Sequence, residues 1–278
     1  MKLTYYGTAA AEGVPALWCD CKTCVRARVK GGRNVRTRSQ ALVDDALLID
    51  LSADTYLHVL SYGLPLHTID SCIITHNHSD HLYSKELNMR HEGFAHLKDG
   101  KPFKVYGMPS VISTITDALG KALPEMEAYG EIELHTIKPY VPFEAAGYRV
   151  TALEADHGAP ESVFYIIEKG SQSILYAHDT GIFPEKAWEY LEWLGVCFDI
   201  VSLDCTNVLL EWDNRGHMGL TGNEQVKKRL ESIGCVDSHT KCIVNHFSHN
   251  GLAGYDELVP KAREKGFEVS YDSMTVEI

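Results

Sequence analysis

The chain has 278 residues, enough for one large domain or two small ones, and its 45% hydrophobic and 23% charged residues are those of a folded protein, excluding disordered and fibrous classes. A formal charge of −12 disfavours nucleic acid as a partner, because such affinity rests on Lys and Arg facing phosphates. No apolar run approaches the roughly 18 residues of a membrane span, and the opening residues 1–10 lack the apolar stretch of a signal peptide, so a cytoplasmic protein without a membrane partner is expected.

The first apolar run, 2–6, reads as a strand. It leads through Gly7-Thr8-Ala9-Ala10-Ala11-Glu12-Gly13-Val14-Pro15-Ala16 into Cys19-Asp-Cys21-Lys-Thr-Cys24. Three cysteines so close in a reducing compartment suggest metal, yet a closed structural zinc site needs four ligands and no fourth lies nearby. The other five cysteines sit singly in apolar contexts and read as buried, inert thiols. Between Lys22 and Arg38 lie seven basic residues and no acidic one. This run reads as a solvated loop, with a phosphate-attracting rim as the functional alternative.

Strands are expected at 41–50 and 71–75, with a helix at 53–62 between them. Directly after the second comes Thr75-His76-Asn77-His78-Ser79-Asp80-His81. On extended backbone His76 and His78 project to one side and can share one metal. Asp80 and His81 are adjacent, so both face inward only where the chain turns, which places them on a second ion. Imidazole and carboxylate donors suit Zn, Mn or Fe, and two such ions roughly 4 Å apart form a hydrolytic device.

Further on, helices are expected at 83–92, 109–120, 184–194, 222–233 and 255–265, the fourth behind a capping box Thr221-x-x-Glu224. Strands are expected at 103–106, 131–137, 147–153, 163–168, 173–177, 199–204, 241–246 and 274–278. Three strand ends carry more candidate ligands: Asp156-His157-Gly158, Ala177-His178-Asp179-Thr180 and Asn245-His246-Phe247-Ser248-His249. His178 should point to the opposite face from Asp179 and take a core role. Arg215-Gly216-His217-Met218-Gly219 precedes the fourth helix. The element pattern argues for sheets covered by helices in one α/β domain spanning 1–278.

Together these motifs resemble the metallo-β-lactamase superfamily, whose HxHxDH motif and later His, Asp and His ligands match in order and setting over essentially the whole chain. The resemblance implies an αββα sandwich of two mixed β-sheets flanked by helices. It places His76, His78 and His157 on one divalent ion, Asp80, His81 and His246 on the other, and Asp179 as the bridge. The CxCxxC, the arginine-rich run and the paired histidines 246 and 249 further resemble the branch of phosphoribosyl cyclic phosphate phosphodiesterases of carbon–phosphorus lyase pathways. That branch implies a structural zinc on Cys19, Cys21, Cys24 and His249, beside a catalytic pair of Zn or Mn ions. It also makes His217 a phosphate contact or general acid, so that Asp80 and His217 are the candidate catalytic residues.

The expected activity is that of a phosphodiesterase opening a small cyclic ribosyl phosphate by attack of a metal-bound hydroxide. A small phosphorylated substrate is the expected partner, and a homodimer stays open. The rivals are another hydrolase of the superfamily, acting on a lactone, thioester or RNA 3′ end, or an accessory protein of cofactor biosynthesis. The chain departs from the branch by extra length around 84–104 and 120–135, and by Val208-Leu209-Leu210-Glu211-Trp212 before the His217 loop. Insertions at the mouth of a site alter which substrate fits.

Overall fold

The computed structural model describes residues 1–97 and 100–278. The first half of the chain forms β1 (Lys2–Gly7), α1 (Lys22–Lys30), β2 (Gln40–Val43), β3 (Leu47–Ile49), α2 (Thr55–Tyr62), β4 (Ser71–Ile73), β5 (Phe103–Gly107), α3 (Pro109–Leu119), α4 (Leu123–Ala128) and β6 (Ile132–Thr136). The second forms β7 (Phe143–Ala145), β8 (Tyr148–Glu154), β9 (Val163–Lys169), β10 (Gln172–Ala177), α5 (Glu185–Leu194), β11 (Ile200–Asp204), α6 (Leu220–Ser232), β12 (Lys241–Asn245), α7 (Tyr255–Glu264), β13 (Glu268–Val269) and β14 (Met274–Glu277).

Strands pair in the orders β14-β1-β2-β3-β4-β5-β6 and β13-β12-β11-β10-β9-β8-β7. In each sheet one half is antiparallel and the other parallel: β3 to β6 in the first, β10 to β13 in the second. The sheets bury Leu3, Tyr5, Val43 and Ile49 of the first against Tyr148, Val150, Tyr165 and Ile174 of the second. On the outer face of the first sheet, Val111, Ile115 and Leu119 of α3, four apart and so on one helical stripe, pack over Leu48, Cys72 and Val105. On the other outer face, Trp188 and Leu191 of α5 with Val226 and Leu230 of α6 cover Leu175, Val201 and Val244. This is the expected sandwich, two mixed sheets flanked by helices. Among the described residues no helix is long and apolar enough to cross a membrane.

Several local expectations are corrected. The run 41–50 is two strands, because Asp44 and Asp45 take left-handed backbone and reverse the chain. Residues 84–90 form a 3₁₀ helix. The extra length around 120–135 becomes α4 and β6, while that around 84–104 includes residues 98 and 99, outside the described residues. The capping box at Thr221 does not form: α6 begins two residues earlier than expected, at Leu220 with Gly219 as its cap, and Glu224 pairs instead with Lys228 at 2.8 Å and with Lys265. Cys72, Cys205, Cys235 and Cys242 are buried as expected, whereas Cys197, in the loop before β11, is exposed.

The basic run is neither a loop nor a bare rim. Cys21 caps α1 by accepting the Cys24 N–H, and the polar helix that follows carries no apolar stripe to reveal it. Its charges are largely engaged within the protein: Arg26 with Glu257, Arg28 with Asp20 (3.0 Å), Lys30 with Asp256 (2.8 Å) and Arg38 with Asp54 (2.8 Å). Arg36 is buried, donates to Thr8 Oγ1 and the Ser270 carbonyl, both at 2.8 Å, and lies 4.0 Å from the Phe247 ring.

Candidate metal centre

The candidate ligands gather beyond the carboxyl ends of β4, β8, β10 and β12, on one rim of the sandwich, where open sheets with parallel strands commonly hold their ligands. Three residues that end or follow strands there, Asp50, Asp179 and His246, adopt left-handed backbone with φ of 65°, 50° and 63°. Such a conformation in a non-glycine residue costs on the order of 1–3 kcal/mol and persists only where packing enforces it. Here each one turns the chain off its strand at the rim.

Donor atoms of His76, His78 and His157 lie within 4.8 Å of one another, as do those of Asp80, His81 and His246 and those of His76, His81 and Asp179. Asp179 therefore stands between two sets of three. The first set reaches the surface at His78, and the second is fully buried. A separate group at the end of α1 joins Cys19, Cys21, Cys24 and His249. Its His249 Nδ1 is 3.5 Å from both Cys19 Sγ and Cys21 Sγ, and Glu12 Oε1 lies 3.9 Å from Nε2 on the other side of the ring. The N-terminal segment reaches it by pairing with the chain after β12: Phe247 N donates to Thr8 O (2.9 Å) and Ala10 N to Phe247 O (3.0 Å). Gly7 is required nearby, since a Cβ there would sit 1.8 Å from Arg38 O.

The hydrogen bonds fix which ring nitrogens are free. His157 Nδ1 faces the Gly216 carbonyl at 3.2 Å and can only donate to it. The Thr75 hydroxyl donates to Asp50, so its oxygen accepts from His76 Nδ1 at 3.1 Å. His81 Nδ1 is 2.7 Å from Asp50 Oδ2, and His246 Nδ1 is 2.8 Å from Thr206 Oγ1. Each Nε2 is left to face another acceptor: His81 to His246 at 3.2 Å, His157 to His78 Nδ1 at 3.3 Å, and His76 to the same atom at 3.1 Å. Asp179 Oδ2 completes the picture. It lies 2.6 Å from His81 Nε2 and 3.0 Å from His246 Nε2, yet it is buried and accepts no hydrogen bond. Lone pairs converging on an orphaned carboxylate oxygen are what cations would satisfy, so the residues fit the divalent ions that the fold implies.

His217 lies outside these two sets of three, although its ligand atom and those of Asp179, Asp204 and His246 also lie within 4.8 Å of one another. Its ring is 4.9 Å from that of His157 and half-buried, and its Nδ1 is 3.1 Å from Asp204 Oδ2. Burial opposes its charge, but Asp204 and Asp179 outweigh that and lift it to about 9. The loop that carries it is closed at its base by Asn207 N donating to Met218 O (2.9 Å) and Leu220 N to Val208 O (2.8 Å). His178 points away, as expected: it is buried between Ser202 Oγ (2.8 Å) and Asn245 Nδ2 (3.2 Å), and burial lowers it to about 3.

Sequence reasoning missed three residues that hold the others. Asp50 orients His81 and accepts from the Thr75 N–H at 2.8 Å. Asp204 accepts from the Met218 N–H at 2.9 Å and faces both His217 and His246. Thr206 bridges Asp204 and His246. The available signal was an acidic residue closing an apolar run, as in Leu47-Leu48-Ile49-Asp50 and Val201-Ser202-Leu203-Asp204.

A family model described as a β-lactamase superfamily domain matches residues 47–242. The chain belongs to the metallo-β-lactamase superfamily. It is 28% identical, over 97% of its length, to an octanoyltransferase of Porphyromonas gingivalis, of which 53% is covered, and 27% identical, over 66%, to a ribonuclease Z of Picosynechococcus sp., of which 53% is covered. The chain thus spans about half the length of these curated relatives. Among solved structures, a diphosphatase from the PhnP family superposes with a TM-score of 0.75 at 21% identity, covering 100% of this chain and 97% of that one. Zn²⁺-bound PqqB from Methylobacterium extorquens gives 0.75 at 20% identity, covering both chains fully. The matched fold implies divalent metal, and the His and Asp side chains gathered at the rim are of the kind that could hold it.

Proposed function

We propose that this metallo-β-lactamase-fold hydrolase is a dinuclear phosphodiesterase that opens a small cyclic ribosyl phosphate. His76, His78 and His157 would hold one divalent ion, Zn or Mn, and Asp80, His81 and His246 the other, with Asp179 between them. Cys19, Cys21, Cys24 and His249 would hold a structural zinc. When bound, the catalytic pair supplies Lewis acidity, lowering the pKa of water and offsetting charge on phosphoryl oxygens.

The observation that carries the reading is the Asp204–His217 pair at the mouth. Asp204 accepts the Nδ1 proton at 3.1 Å, which fixes the ring beside His157 and leaves Nε2 as the nitrogen that can serve the substrate. A sugar alkoxide is too basic to leave unprotonated, so a donor at Nε2 completes ring opening. Asp50 and Thr206 hold His81 and His246 in register by occupying their Nδ1 protons. The likeness to a PhnP-family diphosphatase supports the fold this chemistry would use. A second reading, cleavage of an RNA phosphodiester, draws on the ribonuclease Z relatives, while the net charge of −12 and the paired arginines weigh against it.

Leaving-group dependence tests the reading. His217→Ala should keep its metals and slow hydrolysis of ribosyl 1,2-cyclic phosphate by about 10²- to 10⁴-fold, while bis(p-nitrophenyl) phosphate, whose leaving group needs no proton, is hardly affected. Equal proportional losses on both substrates would reduce His217 to a binding residue.

A further inference from the structure

The outer strands of the two sheets, β13 and β14, flank a cleft of about 630 Å³ on a different face from the metal centre. Lys241 at its wall opens β12, whereas His246 follows that strand's other end, five residues or roughly 16 Å away along extended backbone. Arg33, Lys241 and Arg263 line the cleft together with His239, and among the described residues Glu268 is the single acidic one in the lining.

These cations differ from most of their neighbours on the chain. Arg26, Arg28, Lys30 and Arg38 each meet a carboxylate, but among the described residues none of the cleft cations does. Lys241 Nζ donates only to the Glu277 carbonyl, at 2.6 Å. The Arg33 guanidinium lies over the Tyr271 ring, its Cζ 3.8 Å from the ring centre, with one nitrogen donating to the Tyr255 hydroxyl at 3.1 Å. That clamp fixes its plane and leaves other N–H groups unspent. Arg263, in the last turn of α7, is exposed and makes no ion pair among the described residues.

Gathering three unpaired positive charges around one concavity is unfavourable in itself, and on a chain of net charge −12 acidic partners are plentiful. An anion entering the cleft removes that cost. Guanidinium forks match the oxygens of phosphate, and the volume falls within the range of small-molecule sites. We propose that this cleft is a second ligand site, separate from the metal centre, that binds a small phosphorylated molecule carrying at least two negative charges.

Hydrogen exchange on the metal-loaded protein, with inorganic pyrophosphate as the probe and citrate as the comparison, tests this. Pyrophosphate should slow exchange several-fold in 239–242 and 266–269, and Lys241→Ala/Arg263→Ala should abolish that protection while keeping metal content and bis(p-nitrophenyl) phosphate hydrolysis. Arg263→Ala alone, at an exposed and unpaired position, should weaken pyrophosphate binding at least tenfold with unchanged thermal stability. Protection confined to the metal centre, or protection equal in the double variant, would overturn the site. Equal protection by citrate would overturn its assignment to phosphate.

Discussion

Asp50 Oδ2 lies 2.7 Å from His81 Nδ1, and both side chains are wholly buried. The same carboxylate accepts from the Thr75 N–H and hydroxyl, one residue before His76. A single acid at the end of β3 thus steers a proposed ligand of each ion, although it belongs to neither set of ligands. Partners of this kind contribute about 10- to 100-fold to metal affinity.

Asp50→Ala should therefore lower metal retention by that factor, read as the metal left after dialysis against a graded chelator. The circular dichroism spectrum checks that the variant folds. Retention equal to wild type in a folded variant would show that His81 needs no such support.

The two histidines after β12 should divide their roles. His246→Ala removes a proposed catalytic ligand and should abolish hydrolysis, whereas His249→Ala should act mainly on thermal stability. Cys21→Ser should resemble the latter, losing one zinc equivalent and keeping the other metals, because structural zinc contributes directly to folding. If Cys21→Ser retains all its metal, the four-ligand site of Cys19, Cys21, Cys24 and His249 is wrong.

His58 gives a pH dependence remote from the metals. It is buried between Thr37 Oγ1 (2.8 Å) and Gln40 Oε1 (2.6 Å), and burial lowers it to about 4 against an ordinary 6.5. The folded form thus resists a proton that the unfolded chain accepts, so stability from the neutral ring is present above pH 6.5 and is lost as pH falls toward 4. The loss is on the order of 3 kcal/mol. Urea midpoints of wild type and His58→Gln should converge as pH falls through this window. Parallel curves would refute the assignment.

The sequence made the metal ligands legible because HxHxDH and the strand-end His and Asp residues are local signals, each attached to an apolar run that marks a strand. Asp50, Asp204 and Thr206 escaped notice because their meaning lies in contacts with residues distant in the chain, such as Asp50 with His81 and Asp204 with His217. Helix α1 was read as a loop since its stabilisation comes from the Cys21 cap and from ion pairs to α7, not from an apolar stripe. The same tertiary pairing engages Arg26, Arg28, Lys30 and Arg38 of the basic run within the protein and leaves Arg33 outside any ion pair among the described residues. Thr221 failed as a cap because the bridge between Val208 and Gly219 starts α6 two residues sooner.

The central proposal is that two ions, beyond a proposed structural zinc, make this chain a phosphodiesterase. Its most direct test is a titration of chelator-stripped protein, zinc retained, with Mn or Zn, following bis(p-nitrophenyl) phosphate hydrolysis against equivalents bound. Activity should rise to a plateau at about two added equivalents per chain. Full activity at one equivalent, or none at saturation, would contradict it.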